Sequence, residues 1–230
     1  MICDKTILSA LILCMAFLLA PARAGADVIY RQTTDLSFVA GTQNDTSAFG
    51  NYATAYDNFQ LPFRTEITGV DWTGSYFNPA SPATITAFTV TFWSNASGQP
   101  GSTALQTIVV SGVAGESSTG FGGVDAAGNP VFVYNADIST SQFIAAAGHT
   151  YWLSIVPDLD YPPQWGWESG YGGDGVSYQD FFGSRGQIDF DLAFGLTGTP
   201  LSNTVPEPGS LVLCVFCIVC FFCVRKFQTW

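Results

Sequence analysis

Aromatic, acidic and glycine residues crowd one stretch of the chain, residues 158–175, D-L-D-Y-P-P-Q-W-G-W-E-S-G-Y-G-G-D-G. Three chemistries suit them. Trp165, Trp167 and Tyr171, set among glycines, offer flat ring faces of the kind that stack on the C–H faces of sugars, as in carbohydrate-binding modules. Asp158 and Asp160, with Asp174 in a glycine-rich loop, supply hard oxygen ligands for a structural calcium ion, the one cofactor the sequence suggests. Glu168 with a nearby aspartate could form the opposed carboxylate pair of a polysaccharide-active hydrolase. Each has a plainer counterpart. Two tryptophans two residues apart on one strand share a face, and that face can be the core. Alternate aspartates on a strand, Asp189 and Asp191 as well as Asp158 and Asp160, can simply face water together. The calcium-loop pattern D-x-[DN]-x-[DN]-G-x5-E is missing.

Other catalytic patterns find no footing. His149 is the single histidine, which leaves a histidine-based triad or a multi-histidine metal centre with one member at most. There is no G-x-S-x-G, P-loop or H-E-x-x-H pattern. The sequence therefore predicts a non-catalytic protein. Charge narrows the partners further. Between Asp27 and Val205 the basic residues are Arg31, Arg64 and Arg185, three against sixteen acidic ones, a net charge of −13. Such a surface repels phosphate backbones, so nucleic acid is excluded as a partner. Arg64 and Arg185, nearly alone amid negative charge, either pair with aspartates or meet an acidic sugar.

The elements that would position these residues read as strands. In residues 85–93, I-T-A-F-T-V-T-F-W, Phe88, Val90 and Phe92 share one face and Thr89 and Thr91 the other. Residues 188–196 repeat the pattern, with Ile188, Phe190, Leu192, Phe194 and Leu196 inward and Asp189 and Asp191 outward. Comparable runs occupy 28–32, 66–75, 104–111, 131–138 and 150–156, separated by Gly, Pro, Asn and Ser clusters. Residues 112–129, glycine-rich and with no lysine following, read as a long loop and not a phosphate cradle. The expected body is all-β, an antiparallel β-sandwich with jelly-roll or Greek-key connections.

Both ends differ from that body. The six cysteines, Cys3, Cys14, Cys214, Cys217, Cys220 and Cys223, all lie outside it, which suits export into an oxidising compartment where a thiol-free fold cannot mispair. Residues 7–20 form a signal-peptide core behind Lys5, and Ala22-Arg23-Ala24 and Ala24-Gly25-Ala26 both fit signal-peptidase cleavage. This predicts a signal helix in residues 1–26, a body over 27–200 and a tail over 201–230. Residues 209–224 make one transmembrane helix of about 24 Å at roughly 1.5 Å per residue, enough to cross a thin bilayer. Arg225 and Lys226 then stay cytoplasmic and the acidic body outside. The cysteines recurring every third position in that helix fan around it, as small membrane-compatible side chains do, and do not converge on a metal.

The order of the tail, Pro206-Glu207-Pro208, then an apolar helix, then Arg225-Lys226, resembles the PEP-CTERM sorting signal of Gram-negative bacteria. The resemblance covers residues 205–230. It implies transient residence in the inner membrane, processing by an exosortase at the motif, and a mature protein at the cell surface or in the extracellular matrix, associated with exopolysaccharide. The segments 55–62, 67–72 and 151–155 are similar to β-rich ectodomains that carry this signal, domains without an assigned activity.

Overall fold

The computed structural model describes residues 27–118 and 123–201. The signal helix, the sorting motif Pro206-Glu207-Pro208, the expected transmembrane helix and Arg225-Lys226 lie outside the described residues. Described residues up to Thr199 make one compact unit, and a second begins at Pro200.

Fifteen strands follow one another among the described residues. They are β1 (Asp27–Gly41), β2 (Gln43–Asp45), β3 (Gly50–Gln60), β4 (Thr65–Phe77), β5 (Ala87–Ala96), β6 (Gln99–Ser111), β7 (Ser117–Ser118), β8 (Val131–Asp137), β9 (Ile144–Ala145), β10 (Thr150–Leu159), β11 (Gln164–Tyr171), β12 (Ser177–Phe181), β13 (Ser184–Ile188), β14 (Asp191–Leu192) and β15 (Phe194–Pro200). A single 3-10 turn, Ser139–Ser141, is the helical element among the described residues. No helix among them is long and apolar enough to cross a membrane.

The strands make two sheets. One has the order β14-β11-β1-β15-β4-β8-β7, with β9 also on β4 and β11 reaching β4; the other runs β13-β12-β3-β2-β10-β5-β6. Antiparallel ladders dominate, as between β4 and β8 or β5 and β10. The β2–β10 ladder is parallel, so the second sheet is mixed. The chain passes from one sheet to the other after β1, β3, β4, β6, β9, β10, β11 and β13.

Alternation in sequence explains which faces are buried. Phe88, Val90 and Phe92 of β5 point into one core with Trp72 of β4, Tyr134 of β8 and Trp165 of β11. Rings from the two sheets meet there: Trp72 lies 5.0 Å from Phe88, and Phe88 5.5 Å from Trp165, centroid to centroid. At the other end Phe59 of β3 faces Phe194 of β15 at 6.5 Å. Edge-on aromatic pairs of this kind add roughly 0.5–1.5 kcal/mol each beyond the burial of their area. Gly74 of β4 is part of the same packing, because a Cβ there would enter the Trp165 ring.

The reading of residues 188–196 needs correction. Residues 188–196 are not one strand: β13 belongs to the second sheet and β14 and β15 to the first, so the chain crosses the core at Asp189 and Phe190. Asp191 is consequently buried, not outward, and accepts the Gly173 and Gly175 amides at 2.9 and 2.7 Å. The long loop over 112–129 is tied down where it is described. Glu116 Oε2 accepts the hydroxyls of Tyr76 (2.6 Å) and Tyr134 (2.8 Å), and the Ala126 amide donates to the Leu36 carbonyl at 2.9 Å.

Candidate functional site

Trp165 and Trp167 alternate with Gly166 on β11, and their side chains point inward with no exposed surface. Trp165 Nε1 donates to Tyr134 Oη at 3.0 Å, and Trp167 Nε1 to the Ala193 carbonyl at 2.8 Å. Both rings are thus core members with their polar atoms satisfied, and neither offers a face to a sugar. Tyr171, four residues further on, is exposed and stands apart from them.

The three aspartates expected to hold calcium are engaged separately. Asp158 accepts from Asn44 Nδ2 at 2.8 Å, Asp160 from Thr46 Oγ1, and Asp174 from Asn58 Nδ2 and the Val176 amide at 3.0 Å. No group of three His, Cys, Asp or Glu side chains arranged to hold a metal occurs among the described residues. Arginine is likewise engaged. Arg31 grips Asp71 with both terminal nitrogens (2.7 and 2.9 Å), and Arg185 grips Asp180 (2.7 and 2.8 Å) while its Nη1 donates to the Pro100 carbonyl. Arg64 is exposed. Beside the Arg31–Asp71 pair the outer face of the first sheet carries a shallow depression of about 530 Å³, lined by Thr68, Asn135, Asp137, Thr197 and Thr199 over Gly69.

Glu168 points to the opposite side of β11 from the tryptophans, yet it is fully buried. Neither of its carboxylate oxygens, nor the buried Ser75 hydroxyl, has a hydrogen-bond partner of good geometry. Burial pushes the carboxyl up to about 7; the nearby Ser75 hydroxyl opposes this, and the charges of Asp125 and Asp35 add to it. Asp35, next to it through Ser169, and Asp125 are the acids a hydrolase would need at hand. The geometry denies them that role, since Glu168 has no surface a substrate could reach.

A different constellation, which sequence reasoning missed, is exposed. Asp45 ends β2, and its buried carboxylate gathers five donors: Oδ1 accepts the Ser47 amide (2.9 Å), the Ser47 hydroxyl (2.7 Å) and the Tyr161 amide (3.0 Å), and Oδ2 accepts the amides of Ala48 (3.1 Å) and Phe49 (2.8 Å). Burial alone would raise this carboxyl, but the donors from Ser47, Tyr161 and Phe49 outweigh it and hold it well below the usual carboxylate range. One charge therefore fixes the turn that carries Phe49 and the loop that carries Tyr161. Between them lies Tyr52, whose hydroxyl donates to Gln43 Oε1 at 3.1 Å; the same oxygen accepts the Trp165 amide at 2.9 Å. Phe181 and Phe182, at the tip of the β12–β13 hairpin, close the cluster. Phe182 lies 5.3 Å from Tyr52 and 6.1 Å from Phe49, and Phe49 5.9 Å from Tyr161. Phe49 is 55%, Tyr161 37%, Phe181 44% and Phe182 61% exposed. Only a turn signal, Asn44-Asp45-Thr46-Ser47, and the oddity of two phenylalanines before Gly183 at a hairpin tip hint at this in sequence.

Fold and site together define an all-β protein that buries Trp72, Trp152, Trp165 and Trp167 and gathers exposed Phe49, Tyr161, Phe181 and Phe182 at one set of turns. Residues 28–180 match the family model described as a domain of unknown function, DUF7901. The chain belongs to that family; the match runs from β1 to Asp180 of β12, one residue short of Phe181. No curated protein matches the sequence.

Proposed function

We propose that the protein is a non-catalytic exported component of the cell surface or extracellular matrix, associated with exopolysaccharide. Signal peptidase removes residues 1–26. A helix over 209–224 holds the precursor transiently in the inner membrane, and an exosortase processes it at Pro206-Glu207-Pro208, as the resemblance to the PEP-CTERM signal implies. The body is a β-sandwich with jelly-roll or Greek-key connections, a reading supported by the meeting of both sheets' buried faces in one core and by the repeated passage of the chain between sheets.

The observation that carries the proposal is where the fold closes. β15 ends at Pro200, so removal of the sorting tail leaves all fifteen strands of the described residues in place. The body also holds itself together by aromatic burial without any cysteine between residues 27 and 200, as suits an oxidising exterior. Intact-mass analysis of the secreted protein tests this: both the signal segment and the residues after the Pro-Glu-Pro motif are expected to be missing. A secreted chain that retains Trp230 contradicts the processing.

A further inference from the structure

One member of the aromatic cluster at the loop tips sits in a backbone conformation that its residue type disfavours. Phe181 pairs with Ser184, which leaves Phe182 and Gly183 as a two-residue hairpin loop, and both have positive φ, 47° and 80°. A turn of this type asks for Asn-Gly, because a bulky side chain at positive φ crowds its own backbone. The chain places phenylalanine there, with most of the ring in water. Backbone strain combined with an exposed ring marks a position kept for what the ring touches and not for the fold. The neighbouring rings are held ready in the same way: the buried Asp45 carboxylate fixes the Phe49 and Tyr161 amides, and the Phe182 amide donates to the Tyr52 carbonyl at 2.7 Å.

We infer that Phe49, Tyr161, Phe181 and Phe182, mounted on Tyr52 and ordered by Asp45, form the contact site for an uncharged polysaccharide. Flat rings offer their faces to sugar C–H groups, and the Tyr161 hydroxyl stands among them to hydrogen-bond a sugar hydroxyl. Charge selects this occupant over the others an aromatic patch could take. Nearby Arg185 is committed to Asp180, and the body carries three basic against sixteen acidic residues. A net charge of that sign repels an anionic bilayer, an acidic polysaccharide and a second copy of the chain alike, whereas a neutral glycan feels none of it. The inference names the substrate class of the matrix association proposed above and rests on that reading.

The test uses the full-length chain in nonionic detergent, co-sedimented with amorphous cellulose, curdlan, starch and mannan. Alginate gel, flotation on phosphatidylethanolamine/phosphatidylglycerol vesicles and analytical ultracentrifugation complete it. At least one uncharged polysaccharide is expected to retain the protein. Phe182→Asn, which suits the turn better, is expected to weaken that retention about tenfold, as loss of one aromatic anchor does, with the melting temperature unchanged or higher. Phe49→Ala is expected to weaken it likewise, and Tyr171→Ala, remote from the cluster, to leave it alone. The inference is overturned if no uncharged polysaccharide retains the wild type, or if Phe182→Asn and Phe49→Ala bind as well as wild type. It is equally overturned if those substitutions abolish vesicle flotation or self-association instead. Because binding is measured on the purified chain, a failure here is distinct from a retained Trp230 in the secreted protein, which bears on sorting alone.

Discussion

Asp45 and Glu168 are both buried carboxyls of one domain, and their surroundings drive them apart. Asp45 receives five hydrogen bonds and stays charged; Glu168 receives none of good geometry, and burial raises it to about 7. The contrast shows that the donors around a carboxylate, together with its depth, decide what enclosing it costs. It also separates two kinds of region. Around Asp45 the charge organises loops whose side chains reach out into solvent. Around Glu168 the sheet is sealed, and the acid's burden falls on stability.

The largest effect expected from this contrast is a stabilisation. Glu168 is raised in the folded state from 4.5 to about 7, so the native protein binds the proton more tightly than the unfolded chain. Its penalty is absent below the unfolded value, grows as pH rises through 4.5 to 7, and stays constant above. At roughly 1.4 kcal/mol per unit, Glu168→Gln should gain about 3 kcal/mol of unfolding free energy at pH 8 and almost nothing at pH 4.5. Urea denaturation of both proteins at the two pH values checks it; equal stability throughout would break the comparison. Asp45→Asn should do the reverse and cost about 2 kcal/mol at neutral pH, since charged acceptors are lost to several buried amides. Faster hydrogen exchange at the Phe49 and Tyr161 amides would accompany that loss.

Smaller effects sharpen the contrast. Phe182→Gly should raise stability by up to about 1 kcal/mol by relieving positive φ at an exposed ring, measured by thermal melting. Arg31→Gln should change stability by less than about 1 kcal/mol, because its bidentate pair with Asp71 is exposed on both sides and water screens such pairs.

Much of the sheet framework was legible. Alternation marked 85–93, where Phe88, Val90 and Phe92 are buried, and the runs at 131–138 and 150–156 fall on β8 and β10, although Trp152 to Val156 are buried on both faces. The break in 188–196 was hidden because alternation states which side faces in but not to which sheet a strand belongs, and Ile188 and Phe190 before the break pack against the same core as Leu192, Phe194 and Leu196 after it. Trp165 and Trp167 share a face as their spacing required; that the face is the core was one of two readings open to sequence. Asp191 and Glu168 were illegible for one reason, that the segments covering them come from elsewhere in the chain. The aromatic cluster was harder still. Its members stand at positions 49, 52, 161, 181 and 182, and nothing local announces that three distant turns meet.

Carbon-13 titration of the side-chain carboxyls tests the central contrast most directly. The account predicts a Glu168 midpoint near 7 and an Asp45 carboxylate that stays ionised to the acid limit of folding. Two midpoints together in the ordinary range near 4 would contradict it.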